Sequence, residues 1–77
     1  MVRKVTDIDK MFGRHIDNVR REHKLTRRQI SAKVTVSHQQ IQKYETAENR
    51  ITVSMLYEIA QALGVSIIDL IPHELRK

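Results

Sequence analysis

Apolar residues recur along this chain at three- and four-residue spacing and never alternate with period two over a useful length. Ile8, Met11, Phe12, Ile16 and Val19 mark one face of a first helix. The preceding "TDID" offers Thr6 as N-cap with Asp9 three residues on, the pattern of a capping box. That signature repeats. "TRRQ" (Thr26, Gln29) opens a segment with Ile30 and Val34 that ends near Lys33, and "SHQQ" (Ser37, Gln40) opens one with Ile41 and Tyr44. After Thr52, Leu56, Ile59, Ala60 and Leu63 mark a fourth helix, stopped by Gly64 as a C-cap glycine. "SIID" (Ser66, Asp69) opens a last short helix with Ile67, Ile68, Leu70 and Ile71, closed by Pro72. The pattern predicts an all-α fold of five capped helices.

The joint between the second and third helices is about three residues long, so the two cross steeply, as in a helix-turn-helix. At 100° per residue, Ser37, Ile41 and Tyr44 fall on one side of the third helix. Gln39 and Lys43 point nearly opposite, flanked by His38 and Gln42. One side therefore holds the helix to the core and the amide-rich side faces out. An α-helix fits the major groove of DNA, where Gln pairs bidentately with adenine and Lys donates to guanine.

Charge strengthens this reading. Fourteen basic residues against nine acidic give a net charge of +5 over 77 residues. Residues 20–50 alone carry +5, the first nineteen +1 and the last twenty-seven −1. An excess gathered around one helix points to a polyanion, either nucleic acid or an acidic membrane surface. The absence of cysteine removes a disulfide framework and thiolate chemistry, and fits a reducing cytosol. Apolar runs of two or three residues span no membrane, and "MVRKVTDIDKMF" lacks the apolar stretch of a signal peptide. The four histidines include His15 and His23 eight apart on the first helix, with no Cys, Asp or Glu completing a ligand set, so no metal is expected. No nucleophile–base grouping and no Gly-rich phosphate loop is present, so neither catalysis nor a cofactor or small-molecule ligand is expected.

With helices, caps and turn placed, the chain resembles the Cro/C1-type (XRE-like) helix-turn-helix regulators of bacteria and phage. "LTRRQISAKVTVSHQQIQKYE" and "LYEIAQALGVSIIDLI" carry the likeness, which runs from about Phe12 to Ile71. It implies one compact, lambda-repressor-like domain over 1–77, with its core at about 8–71 and short extensions at each end. It implies that His38, Gln39, Gln42 and Lys43 read bases. Arg27, Arg28, Ser37 and Arg50 would meet the DNA backbone, and Arg20 would pair with Glu45, linking the first helix to the end of the third. Ile30, Val34, Val36, Ile41, Leu56, Ile59 and Leu63 match core positions. The chain departs from the pattern at Thr35, where the family usually has glycine, and at Ser31, where it usually has alanine. "ETAENRI" also lacks the glycine that often follows the glutamate. A β-branched residue at positive φ is strained, so Thr35 implies either a different turn or a cost of about 1–2 kcal/mol.

The C-terminal "VSIIDLI" holds more aliphatic residues than one short helix needs for its own core. Val65, Ile67, Ile68 and Ile71 are therefore expected at a homodimer seam, with Leu70 beside them. The resemblance implies a cytoplasmic regulator in a bacterium or encoded by a phage, working on the nucleoid. It would bind a two-fold related operator on double-stranded DNA, most simply as a repressor. A restriction–modification controller or a Cro-like switch would share this sequence pattern. The alternative is an antitoxin or other protein-interaction module that binds DNA secondarily.

Overall fold

The computed structural model describes residues 6–76; of the terminal extensions expected on either side of 8–71, residues 1–5 and Lys77 lie outside them. Four α-helices follow one another: α1 (Asp7–Glu22), α2 (Arg27–Ser31), α3 (His38–Glu45) and α4 (Val53–Leu63). Local side chains set their starts. Thr6 N–H donates to Asp9 Oδ2 at 2.8 Å while Thr6 Oγ1 accepts from Asp9 N–H at 3.3 Å, a closed capping box. Thr26 and Gln29 repeat it at α2, at 2.8 and 3.1 Å. At α3 only half of the expected box forms. Ser37 Oγ accepts from Gln40 N–H at 3.2 Å, but the Gln40 amide reaches away and donates to Asn49 Oδ1 at 3.1 Å. Thr52 caps α4 through Met55 N–H at 3.1 Å, and Gly64 ends it at φ 75°, where a glycine carries no Cβ penalty.

The expected fifth α-helix is instead a 3₁₀ turn, Ile67–Leu70, and a second one follows Pro72 at His73–Leu75. Its cap is formed as expected, with the Asp69 carboxylate accepting from Ser66 N–H and Oγ–H at 3.1 and 3.2 Å. What fails is length. Pro72 disfavours the α region at Ile71, which is extended at φ −84°, ψ 124°, and four residues cannot repay α-helix nucleation. α2 likewise stops at Ser31, two residues short of the expected end.

Each α-helix and the first 3₁₀ turn places one large, fully buried aliphatic side chain in a common core: Ile16, Ile30, Ile41, Ile59 and Leu70. Burying each contributes roughly 1.5–3 kcal/mol relative to exposure. Val34 and Val36 pack half-buried against this core from either side of Thr35. α1 crosses the end of α3 at Gly13, where an added Cβ would lie 2.6 Å from the carbonyl oxygens of both Tyr44 and Glu45. The missing side chain at Gly13 is what lets the two backbones approach this closely.

The turn between α2 and α3 differs from the glycine-bearing version. Among the described residues, those at positive φ are Lys24 (56°), Ala47 (59°) and Gly64, so Thr35 lies outside the left-handed region. The strain falls instead on Ala47, just past α3, in the segment where the family often has its glycine. Thr35 N–H and Oγ1–H both reach Glu58 Oε1 on α4 at 3.1 Å.

Candidate nucleic-acid interface

α3 is amphipathic by composition: Ile41 and Glu45 are buried on one side, and Gln39, Gln42 and Lys43 are exposed on the other. The side chains of these three form no hydrogen bond with any described residue. His38, the first residue of the helix, is half-buried on the flank, and the Ser37 hydroxyl is engaged in the cap. Gln40 is bound to Asn49, so two of the three glutamines in this helix remain available to a partner.

The inner edge of α3 ends in a buried ion network. Arg20 Nε donates to Glu45 Oε2 at 2.8 Å, and Arg27 Nε donates to Glu45 Oε1 at the same distance. Only 1% of the Glu45 side chain is exposed. Arg20 also donates through Nη1 to the Leu25 carbonyl at 2.9 Å and through Nη2 to Asp17 Oδ1 at 2.8 Å. Asp17 accepts a further bond from Arg21 Nε at 2.9 Å. Partial burial pushes the Asp17 carboxyl up, but the bond and charge of Arg21, with Arg20 beside it, outweigh this and hold it below its ordinary value. The Glu45 bond raises the Arg20 pKa further, against the opposing effect of burial. One carboxylate at the end of α3 thus ties together α1, the start of α2 and α3.

This network gives Arg27 a partner that its position in the sequence does not reveal. Its Nε is bound inward, with 31% of the side chain exposed. Arg50 is also paired, donating from Nε to Asp9 Oδ2 at 3.0 Å and so joining the α3–α4 loop to the start of α1. Burial raises the Asp9 pKa, but the two Thr6 bonds and Arg50 bring it below the ordinary value. Arg28 is exposed and enters no ion pair among the described residues. Basic side chains near α3 therefore divide into structural ones (Arg20, Arg27, Arg50) and outward ones (Arg28, Lys33, Lys43). Arg27 and Arg50 are paired yet keep 31% and 39% of their side chains exposed.

At the C-terminal end, Leu70 is core, Val65, Ile67 and Ile71 are half-buried, and Ile68 is 59% exposed. His15 Nε2 donates to the Asp69 carbonyl at 2.7 Å and His23 Nδ1 to the Val19 carbonyl at 2.9 Å. Among the described residues no cluster of His, Asp and Glu could hold a metal ion, and no helix is long and apolar enough to cross a membrane.

Comparison with known proteins agrees with this geometry. A family model described as helix-turn-helix matches residues 16–70. An uncharacterized HTH-type transcriptional regulator of Rickettsia conorii is 43% identical over 63 residues, covering 82% of this chain and 50% of the relative. One of Sinorhizobium fredii is 38% identical over 65 residues, covering 84% of each chain. The chain thus spans about half the length of the rickettsial relative and most of the rhizobial one. The crystal structure of the clp gene regulator ClgR from C. glutamicum superposes with a TM-score of 0.78 at 21% identity, over 82% of each chain, and shares the fold. The buried Ile41–Glu45 edge, the capped helices and the matched span leave one placement: the chain belongs to the Cro/C1-type helix-turn-helix family.

Proposed function

We propose that this chain is a sequence-specific, double-stranded DNA-binding transcription regulator of the bacterial cytoplasm, a binding module rather than an enzyme. Residues of about 8–71 act as one domain that pairs into a homodimer and represses by occupying a two-fold related operator. The observation that carries this reading is the outer edge of α3. Among the described residues Gln39, Gln42 and Lys43 are exposed and their side chains unbonded, on a helix whose other edge is anchored by Ile41 and by Glu45 between two arginines. An anchored helix that presents amides and an ammonium matches the donor and acceptor code of the major groove. The names of the Rickettsia and Sinorhizobium relatives as transcriptional regulators support the same reading. His38 reads a base from the flank, and Ser37, Arg27, Arg28 and Arg50 face phosphate.

Selecting bound duplexes from a random pool tests the proposal, because it reports both the site and its symmetry. Enrichment of a palindrome is expected. Gln39→Ala and Lys43→Ala should each relax preference at one operator position, by about 1–3 kcal/mol. A uniform loss across all sequences would reassign that side chain to phosphate, and a pool that shows no enrichment overturns the function.

A further inference from the structure

We propose that Glu58 is a positioning residue for the reading helix: from α4 it clamps the turn that aims the N-terminus of α3. The inference rests on the DNA-binding reading above. Residues 32–37 join α2 to α3, and two of them, Val34 and Val36, are held by packing on the core. Thr35 between them is exposed, and a turn fixed only at its flanks leaves its middle peptide free to rotate. Glu58 supplies the missing restraint. Its Oε1 accepts the Thr35 N–H and the Thr35 hydroxyl, both at 3.1 Å, with Oε2 also 3.2 Å from Oγ1.

The partner and the place both bear on function. Glu58 is the only acidic residue in α4, and among the described residues it enters no ion pair, so its charge is directed at this turn and at nothing else. Hydrogen bonds to a carboxylate are about twice as strong as neutral ones. Two residues past Thr35, Ser37 caps α3, and His38 and Gln39 follow at once. A swing of the Thr35 peptide therefore displaces the first turn of α3, the end that enters the groove in helix-turn-helix docking. A carboxylate beside a basic surface also weakens general attraction to a polyanion. Glu58 should thus lower non-specific binding while it sharpens specific binding, and a merely stabilising residue would not separate the two.

The test compares wild type, Glu58→Ala and Glu58→Gln on the selected operator and on a scrambled duplex. Glu58→Ala should reduce the operator-to-scrambled affinity ratio by about tenfold or more, with scrambled binding equal or tighter and the salt slope of specific binding unchanged. Glu58→Gln keeps an oxygen where Oε1 stands and should restore most of the ratio despite losing the charge. Without DNA, the Thr35 amide should exchange about tenfold or more faster in Glu58→Ala than in wild type. An unchanged ratio in Glu58→Ala overturns the role of Glu58, and unchanged Thr35 exchange overturns the clamp itself. A wild-type protein with no preference among duplexes overturns the DNA reading, and the positioning role with it, whatever the exchange shows.

Discussion

Glu45 has two guanidinium partners and almost no water, which makes it the most costly charge in the fold to disturb. Replacing it by alanine leaves Arg20 buried with only Asp17 and the Leu25 carbonyl, and frees Arg27 from α3. Breaking a buried pair from one side costs about 3–5 kcal/mol, and the remaining Asp17 bond puts Glu45→Ala near the lower end. Urea unfolding measures it; a loss under about 1 kcal/mol would mean the pair behaves as a surface one. Backbone strain gives a contrasting pair of residues. Lys24 and Ala47 both adopt positive φ, at a cost of about 1–2 kcal/mol for an L-residue. Lys24 is exposed, so Lys24→Gly relieves that strain and pays only glycine's greater chain entropy, a net gain of about 0.5–1 kcal/mol. Ala47 is 7% exposed, so Ala47→Gly also removes a buried methyl worth roughly 0.8 kcal/mol and should be near neutral. The same unfolding experiment separates the two, and equal effects would contradict this account.

At the scale of the elements, the legible features are those encoded within four residues of chain. Thr6 with Asp9, Thr26 with Gln29 and Gly64 after α4 announce themselves because both partners are near neighbours in sequence. The aliphatic positions at helical spacing identify the core for the same reason. What spacing cannot show is which distant groups meet. Gln40 leaves its own cap for Asn49 in the loop after α3, while Arg27 turns inward to Glu45 and Glu58 crosses to Thr35 through contacts made only when helices pack. Gly13 belongs to this second class, although a glycine inside a strongly patterned helix is itself a signal of close backbone approach. In Gly13→Ala the new Cβ would meet two backbone oxygens at 2.6 Å, and neither can rotate away. The helices must separate, at about 1–3 kcal/mol for overpacking. Because α3 is the helix displaced, operator affinity should fall more than the loss in stability explains at temperatures where the variant stays folded. Circular dichroism melting with a gel-shift titration checks both; unchanged operator binding would show that the α1–α3 contact does not set the pose of α3.

For the whole molecule, the proposed function raises the question of how a chain of 9.1 kDa would single out one promoter. One helix of eight residues would read a handful of base pairs, against about 10⁶ or more competing genomic sites. A two-fold dimer doubles the site and sets the second reading helix about 34 Å away, one turn along the same face of the duplex. The seam expected in the C-terminal segment narrows once the packing is considered. Leu70 is fully buried in the core, Val65 and Ile67 already pack against that core, and Ile71 is half-buried. Among the aliphatic side chains of this segment Ile68 alone is mostly exposed, at 59%, and on α4 the outward side chains Val53 and Tyr57 are 76% and 52% exposed. A small domain gains stability by covering such surface, since its own core is limited by its size. We therefore expect an isologous contact centred on Ile68. Ile68→Glu should leave helicity intact, because the side chain is mostly exposed and lies outside the packed core, while it converts dimers to monomers and weakens operator binding by about 10²-fold or more. Ile71→Glu should instead lose stability as well, since that side chain is half-buried in its own chain. Light scattering reads the outcome directly: wild-type protein that stays at 9.1 kDa at tens of micromolar, and fills single half-sites without pairing, would sink the dimer.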